Sequence, residues 1–220
     1  MTKLSPKILT VVSAPFEENS FIAFLPERAD CLIFDPGLDP EALIRAVESN
    51  RLTPAAILCT HGHADHIAGV GHLKERWPTC PLLIGAGDAS KLTDPVGNLS
   101  AGYGFNLVCP PADRTVREGE ILELAGFNLV VRETPGHSVG HVVFITQGVS
   151  PTIVFSGDVL FAGSIGRTDF PDGSFADLKE AIHTKLFSLP DDTVVLSGHG
   201  PPTTIGEEQA TNPFVGLDAG

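Results

Sequence analysis

The chain has 220 residues, of which 42% are hydrophobic and 19% are charged, and its formal net charge is −13. This length suffices for one well-buried domain or at most two small ones, and the composition is that of an ordinary soluble globular protein. The acidic balance disfavours nucleic acid and anionic membrane surfaces as partners, because binding to phosphates needs a surplus of Lys and Arg.

The N-terminal segment does not have the pattern of a secretion signal. Lys3 and Lys7 precede an apolar run that extends only from Ile8 to Val12, whereas a signal peptide needs about 7–15 apolar residues. No apolar run approaches the roughly 20 residues of a membrane span. The four cysteines are widely spaced and form no CxxC pair, which is typical of reduced thiols in a cytosolic protein. We therefore expect a cytoplasmic protein.

The first third of the chain predicts three strands followed by a helix. Residues 8–12, 20–25 and 31–34 are apolar enough for strands. The third strand is stopped by Asp35-Pro36-Gly37, which is a turn signal. Asp39 as N-cap and Pro40 at the first helical position then start a helix.

A strand from Ala55 to Thr60 leads into a histidine-rich cluster. A second helix is predicted to begin within or just after this cluster and to end at Pro78, with an inward face formed by Ile67, Val70, Leu73 and Trp77. A short strand is expected at 81–84. Residues 85–119 are rich in Gly and Pro, and Tyr103 with Phe105 indicates either a mobile loop that borders a site or a surface connection.

The second half of the chain predicts more strands and two helices. Residues 121–124 and 127–133 form a hairpin that turns at Ala125-Gly126, and further strands are expected at 141–146, 152–156 and 193–196. A helix from Ser174 to Phe187 is predicted to bury Phe175, Leu178, Ile182 and Leu186, with Ser174 and Asp177 forming its capping box. Thr204 with Glu207 is expected to cap a final short helix. The chain shows no linker and no repeat, so we expect one domain over residues 1–220.

The histidine-rich cluster contains three imidazoles and one carboxylate within six residues: His61, His63, Asp65 and His66. A lone histidine is more often a satisfied core or surface residue than a metal ligand. Four such side chains at this spacing reverse that expectation. The cluster therefore predicts a metal site at the end of the strand 55–60.

Three further candidate ligands also follow apolar strands. His137 comes after residues 127–133, Asp158 after 152–156, and His199 after 193–196, each beside a glycine. If these strands end at one edge of their sheets, all seven side chains converge there. Imidazole and carboxylate ligands suit Zn²⁺, Mn²⁺ or iron, and seven ligands are too many for one ion. The sequence thus predicts two divalent ions, which in such sites lie about 3.5–4 Å apart and are bridged by a carboxylate and a hydroxide.

Three histidines lie outside this pattern. His72 and His183 are not expected to be ligands. His141, four residues after His137, is expected either to support a ligand or simply to stand at the start of a strand.

The segment His61-Gly62-His63-Ala64-Asp65-His66 matches the HxHxDH signature of the metallo-β-lactamase superfamily. His137, Asp158 and His199 match its later ligands in order, so the chain resembles that superfamily from about Asp35 to Pro201. The resemblance implies an α+β fold, a four-layer αββα sandwich with a dinuclear metal site at one edge between the two sheets. It also implies that His61, His63 and His137 hold one metal, that Asp65, His66 and His199 hold the other, and that Asp158 bridges them.

Two later stretches resemble the glyoxalase II group within that superfamily. They are Ser156 to Phe161 followed by Gly166-Arg167-Thr168-Asp169-Phe170, and Gly198-His199-Gly200-Pro201 with the residues after it. The chain is similar to the short, single-domain bacterial members, which lack the C-terminal helical domain that supplies much of the glutathione site. A bridging Asp158 also makes the site unlike that of true β-lactamases, which lack an equivalent residue.

This resemblance implies a hydrolase that cleaves S-acyl thioesters such as S-lactoylglutathione or a smaller relative. In this mechanism a metal-bridging hydroxide attacks the thioester carbonyl, and Asp65 orients that hydroxide. The expected partner is a small thioester, with or without a glutathione moiety, and the chain is expected to be a monomer or a small homo-oligomer. Arg167 falls where the group places a basic residue near the thiol part of the substrate, although a salt bridge to Asp169 or Asp172 would explain it equally well.

Three alternatives share the same residues. Glutathione persulfide dioxygenases have a closely similar Gly-Arg-Thr-Asp-Phe stretch but use one iron, and Pro171 stands here where that family is expected to have Gln. A lactonase or other ester hydrolase could use the same metal centre. A catalytically silent metal-binding module is disfavoured by the intact ligand set.

Overall fold

The structure is a computed structural model and describes residues 5–217. These residues form two six-stranded sheets and a small hairpin. The first sheet has the order β1-β2-β3-β4-β5-β6, and the second has the order β14-β13-β10-β9-β8-β7. The strands of the first sheet are β1 Lys7–Ser13, β2 Glu18–Phe24, β3 Asp30–Phe34, β4 Thr53–Cys59, β5 Leu82–Gly85 and β6 Arg114–Val116. Those of the second are β7 Ile121–Leu124, β8 Phe127–Glu133, β9 Val142–Gln147, β10 Ile153–Gly157, β13 Val194–Ser197 and β14 Thr203–Thr204, and β11 Leu160–Phe161 pairs with β12 Ser164–Ile165 in the hairpin.

Helices cover the outer face of each sheet. They are α1 Pro40–Ser49, α2 Ala64–Ile67, α3 Val70–Arg76, α4 Phe175–Ala181 and α5 Ile205–Thr211. Leu43 of α1 and Leu73 of α3 share a buried cluster with the outer side chains of the first sheet. Leu178 of α4 and Ile205 of α5 do the same for the second sheet. The α+β fold and the four-layer αββα sandwich are therefore confirmed.

The main core lies between the two sheets. Alternate residues of each strand point to opposite faces: Leu32 and Phe34 of β3 enter this central core, while Ile33 faces the helices. The rings of Phe34 and Phe155 stack across the two sheets with their centroids 3.7 Å apart. Because both faces of these strands are buried, their sequences are continuously apolar rather than alternating.

Several local predictions agree with the structure. Asp39 caps α1 by accepting the Ala42 N–H at 3.0 Å, and the 121–133 hairpin turns at Ala125-Gly126. Ser174 and Thr204 accept the backbone N–H groups of Asp177 and Glu207 at the starts of α4 and α5.

Three local predictions need correction. The predicted second helix is divided into α2 and α3, because the Gly69 N–H donates to the Pro36 carbonyl oxygen at 2.8 Å instead of continuing the helix, and Trp77 lies beyond its end. The predicted helix from Ser174 to Phe187 is α-helical only to Ala181 and becomes a π-helical turn over Ile182–Leu186. Phe175, predicted to be buried, is 45% exposed because it is the first residue of α4, one turn before Leu178, which packs in the buried cluster on the second sheet.

No helix within residues 5–217 is both long enough and apolar enough to cross a membrane.

All four cysteines are buried and unpaired, and their thiols are expected to be unreactive in the folded protein. Burial raises the pKa of Cys31 to about 12 and the pKa values of Cys80 and Cys109 to about 11, and it raises that of Cys59 well above the usual range. Since the thiolate is the reactive form, disulfide-exchange labelling at pH 8 should be at least about 100-fold slower for the native chain than for the denatured chain. Rapid labelling of the native chain would contradict this expectation.

The free energy of unfolding should fall as the pH rises from about 9 to about 11, because the unfolded chain then releases thiol protons that the native chain retains.

Candidate metal centre

The seven predicted ligands converge at one edge of the two sheets, where β4, β8, β10 and β13 end. The edges of the sheets are joined there, because the Val142 N–H at the start of β9 donates to the Thr60 carbonyl oxygen at 2.8 Å. Glycines permit the close approach: a Cβ atom at Gly198 would collide with Asp158 and His66. The four-residue cluster alone is therefore only part of a larger constellation.

Three imidazoles form the first group. His63 Nδ1 lies 3.1 Å from His61 Nε2 and 2.9 Å from His137 Nε2. The other ring nitrogens fix the proton positions, since His137 Nδ1 donates to the Arg167 carbonyl oxygen at 2.8 Å and His61 Nδ1 contacts the Thr60 hydroxyl at 3.1 Å. Thr60 Oγ1 itself donates to Asp35 at 2.7 Å and so accepts from His61. The Nε2 lone pairs of His61 and His137 therefore both point at His63 Nδ1.

The second group combines two imidazoles with two carboxylates. His199 Nε2 lies 3.3 Å from Asp65 Oδ2 and 3.6 Å from Asp158 Oδ2, and its Nδ1 donates to the Phe16 carbonyl oxygen at 3.0 Å. His66 Nε2 lies 3.3 Å from Asp158 Oδ1 and 3.8 Å from Asp65 Oδ2. Asp158 also lies 3.5 Å from His137 of the first group, so its carboxylate stands between the two groups.

The electrostatics differ between the two groups. Burial lowers the pKa of His63 to about 3, and it lowers the pKa of His61 and His137 as well, so the first group presents neutral rings. Burial also acts to lower the pKa of His66, but the charges of Asp158 and Asp65 raise it well above its usual value. Burial would raise the pKa of Asp158, yet His66 and its other imidazole neighbours hold it well below the usual range. The second group therefore keeps its carboxylates ionised, and these carboxylates stabilise a positive charge placed beside them.

These side chains fit divalent cations. Ligand atoms of three subsets lie within 4.8 Å of one another: His61, His63 and His137; His61, His66 and Asp158; and Asp65, His66 and His199. Four buried side-chain atoms in the described chain have no partner in hydrogen-bond geometry, and three of them belong to this site: His63 Nε2, His66 Nε2 and Asp158 Oδ1. Lone pairs that converge without a shared proton repel one another, and a cation removes that repulsion. The nitrogen and oxygen donors, with no thiolate, suit Zn²⁺, iron or Mn²⁺.

Asp35 supports this site, although the sequence indicated only a turn at this position. Its carboxylate accepts the Thr60 N–H and the Thr60 hydroxyl, both at 2.7 Å, and contacts His66 Nδ1 at 3.2 Å. Its φ is +45°, which is uncommon for a residue other than glycine and is typical of functional sites. The available signal was an acidic residue directly after a buried strand that pairs in parallel with β4.

His141, for which the sequence left two roles open, supports the loop that carries Asp158. Its Nε2 accepts the Asp158 N–H at 3.1 Å, and its Nδ1 contacts the Thr134 hydroxyl at 3.1 Å. Burial and the nearby His137 lower the pKa of His141 well below its usual value, which keeps the acceptor nitrogen free. His183 lies elsewhere and contacts the Val215 carbonyl oxygen at 2.8 Å.

Five of the seven convergent side chains line a cavity of about 230 Å³, while His61 and His66 are fully buried and do not line it. Its walls are largely aromatic and apolar and include Phe16, Phe161, Phe170, Tyr103, Leu99 and Ile165. Of the two interpretations of the 85–119 segment, the one in which it borders the site therefore agrees with the structure. Tyr103 packs edge-on against Phe16, with ring centroids 5.1 Å apart.

Arg167 also borders the cavity. Its guanidinium makes a two-point ion pair with Asp169 at 2.9 and 2.8 Å and stands 4.5 Å above the ring of Phe170. Asp172, the other predicted salt-bridge partner, pairs instead with Lys91 at 2.7 Å. The Arg167 side chain is 62% exposed, so it remains accessible to a ligand in the cavity while paired.

Comparison with known proteins agrees with this architecture. Two relatives are the "Probable metallo-hydrolase YqgX" of Bacillus subtilis, 39% identical, and the "Hydroxyacylglutathione hydrolase GloC" of Haemophilus influenzae, 38% identical; in each case 91% of this chain matches 93% of the relative. Among solved structures, BLEG-1, described as a B3 metallo-beta-lactamase, is 38% identical with a TM-score of 0.90 over 95% of this chain and 99% of its own. TTHA1623 in a di-iron-bound form is 37% identical with a TM-score of 0.79, over 94% of this chain and 99% of its own.

The match to the family model is broad. The model described as "Metallo-beta-lactamase superfamily" matches residues 15–199, a range that begins before β2 and ends at His199. It includes all seven convergent side chains and every strand of the two sheets except the edge strands β1 and β14. This chain belongs to the metallo-beta-lactamase superfamily.

Proposed function

We propose that this protein is a metal-dependent hydrolase of S-acyl thioesters that acts on S-lactoylglutathione or a related small thioester. The observation that carries the proposal is the convergence of five imidazoles and two carboxylates, of which three imidazoles and both carboxylates line a cavity that Arg167 borders. Membership of the superfamily and the metallo-hydrolase relative support hydrolysis in general. The hydroxyacylglutathione hydrolase relative supports the thioester in particular.

The proposed ligand assignment follows the two groups. His61, His63 and His137 hold one divalent ion, and Asp65, His66 and His199 hold the other, with Asp158 shared between them. The donor set is compatible with zinc, iron and manganese. The di-iron form of the TTHA1623 relative supports testing iron beside zinc.

Two such ions would lower the pKa of a water molecule that they share and would polarise the thioester carbonyl. Asp65 lines the cavity and orients the attacking water by accepting its hydrogen bond. Burial alone would raise the pKa of Asp65, but His66 and His199 lower it, so its carboxylate is ionised and able to accept. The attacking water gives up one proton to solvent, its oxygen bonds to the carbonyl carbon, and the carbon–sulfur bond breaks to give a carboxylic acid and a thiolate. The thiolate leaves without a dedicated general acid and takes up its proton from solvent.

Arg167 is proposed to contact the thiol part of the substrate. The Arg167 guanidinium lies at the cavity wall, and its side chain is exposed rather than buried. Its backbone carbonyl oxygen already orients His137, so only the side chain is available for this role.

Thioester hydrolysis by the metal-loaded chain is the direct test. We expect S-lactoylglutathione or a small acyl thioester to be cleaved well above the buffer rate. Replacement of Asp65 by Asn should lower kcat by about 10²–10³-fold, because the neutral amide cannot hold the attacking water in the same way. Asp113→Asn serves as the matched control, since this carboxylate pairs with Lys74 and lies outside both the convergent group and the cavity lining. No hydrolysis above buffer by the metal-loaded wild type would reject the proposal.

Other activities of the same centre have distinct assays. Oxygen uptake with glutathione persulfide by the iron-loaded chain would favour the dioxygenase alternative instead of hydrolysis. Lactone substrates test the ester-hydrolase alternative. A chromogenic β-lactam belongs in the same panel because of the similarity to BLEG-1.

A further inference from the structure

Asp88 is a fully buried acidic residue outside the convergent group, and no sequence pattern pointed to a role for it. It lies shortly after β5, and its side chain is 0% exposed. Its Oδ2 accepts the Gly62 N–H at 2.8 Å and the Ser138 hydroxyl at 2.7 Å, while its Oδ1 accepts the Gly140 N–H at 2.8 Å. Burying a carboxyl group costs free energy unless hydrogen-bond donors replace its lost hydration. These three donors together therefore stabilise Asp88 in its buried position.

The donors belong to two different ligand-bearing loops. Gly62 separates His61 from His63, and Ser138 directly follows His137. One carboxyl group therefore joins the two loops that supply the three-imidazole group. The distance between His63 Nδ1 and His137 Nε2, 2.9 Å, spans the same two loops.

The packing around Asp88 leaves these loops little freedom. A Cβ atom at Gly62 would lie 2.6 Å from Lys91 Cβ, and one at Gly140 would collide with the backbone of Gly87 and Asp88. The glycines let both loops approach the 85–91 segment closely enough for their N–H groups to reach the carboxyl oxygens.

Lys91 extends the same connection to the cavity wall. Its buried ammonium lies 3.4 Å from Asp88 Oδ1 and donates to Asp172 Oδ2 at 2.7 Å. Asp172 also accepts the Val139 N–H at 3.2 Å. Asp172 lies two residues after Phe170, which lines the cavity. The ring of Phe170 packs against His63 and His137 with centroid distances of 5.0 and 5.6 Å.

We infer that Asp88 is a positioning residue that sets the spacing of the His61, His63 and His137 metal site by tying the Gly62 loop to the Ser138–Gly140 loop. The inference rests on the proposed metal centre. It adds that Asp88 holds the ligand-bearing loops in place without contacting metal or substrate. An Asn at this position offers only one accepting oxygen, so its amide would face either the Gly140 N–H or the Gly62 and Ser138 donors. The loops would then separate without losing any ligand.

The test measures metal affinity rather than activity. Metal-free wild type and Asp88→Asn are titrated with Zn²⁺ against a chromophoric chelator, well below the unfolding temperature of each. We expect one of the two Zn²⁺ affinities to fall about 10–100-fold in the variant, the usual effect of removing a residue that orients metal ligands. The absorption spectrum of the Co²⁺-loaded variant should also differ from that of wild type, because it reports ligand geometry.

Glu208→Gln is the matched control. Glu208 is also buried, at 1% exposure, and its carboxylate accepts the Gly163 N–H at 2.9 Å, the Thr203 hydroxyl at 2.6 Å and the Asn212 amide at 2.8 Å. None of these donors belongs to a loop that carries His61, His63 or His137. The control should lose stability while keeping wild-type metal affinity.

A milder pair keeps the test decisive if Asp88→Asn does not fold. Ser138→Ala removes one donor of Asp88, and Thr203→Ala removes the corresponding hydroxyl donor of Glu208. We expect weaker Zn²⁺ binding in Ser138→Ala and not in Thr203→Ala. Unchanged affinity in the Asp88 and Ser138 variants, or equal losses in their controls, would overturn the positioning role alone. A wild-type chain that binds no Zn²⁺ would instead overturn the metal centre, and the inference with it.

Discussion

Replacing Asp158 by Ala is expected to reduce thioester hydrolysis by about a thousandfold or more. Its carboxylate lies 3.3 Å from His66, 3.5 Å from His137 and 3.6 Å from His199, so it serves both groups of proposed ligands. A thousandfold loss corresponds to about 4 kcal/mol of transition-state stabilisation, which is the order expected when a preorganised electrostatic group is removed. Steady-state kinetics with saturating zinc or iron measures the effect.

Metal content should change with the rate. The metal content measured by elemental analysis is expected to fall from about two ions per chain in wild type to about one or fewer in Asp158→Ala, because a two-ion site loses a shared ligand. Asp113→Ala is the control, because Asp113 accepts the Leu82 N–H and pairs with Lys74 at a partly exposed position away from the site. Full activity and full metal content in Asp158→Ala would show that this carboxylate is not shared by the ions.

Removing the metal ions is expected to lower the melting temperature by about 8–16 °C. An ion present at a thousand times its dissociation constant adds about 4 kcal/mol to the free energy of unfolding. For a chain of this size, each kcal/mol corresponds to about 2–4 °C. The effect arises because the ions relieve repulsion among the converging lone pairs of His61, His63 and His137 and between the carboxylates of Asp65 and Asp158. Thermal melts with excess Zn²⁺ and with a chelator measure it.

A ligand variant supplies the control for this melt. In His61→Ala the first group is broken, so the difference between the zinc and chelator melts should shrink markedly. His183→Ala, which loses only a contact to the Val215 carbonyl oxygen, should keep the full difference. Equal melting temperatures of wild type with zinc and with chelator would contradict a structural contribution from metal binding.

Local sequence signals determined much of the architecture. The 121–133 hairpin, the caps of α1, α4 and α5, and the strands that precede each proposed ligand were readable because they depend on nearby residues. The apolar runs of β3, β4 and β10 indicated the strands themselves, and burial of both faces between the central and outer cores explains why these runs are continuous. The errors fell where a distant contact overrides local preference, as at Gly69, whose N–H is taken by Pro36.

The residue types of the site were likewise available from the sequence. His and Asp directly after apolar strands predicted seven convergent side chains, and the structure brings all seven together. The tertiary structure alone decided which ring nitrogen faces inward, because that depends on acceptors as far apart as Phe16 and Arg167. It also decided the roles of Asp35 and Asp88, whose partners lie 25 or more residues away along the chain. Ligand identity is a property of local composition, whereas ligand orientation is a property of long-range hydrogen bonds, and only the packed sheets bring those partners within reach.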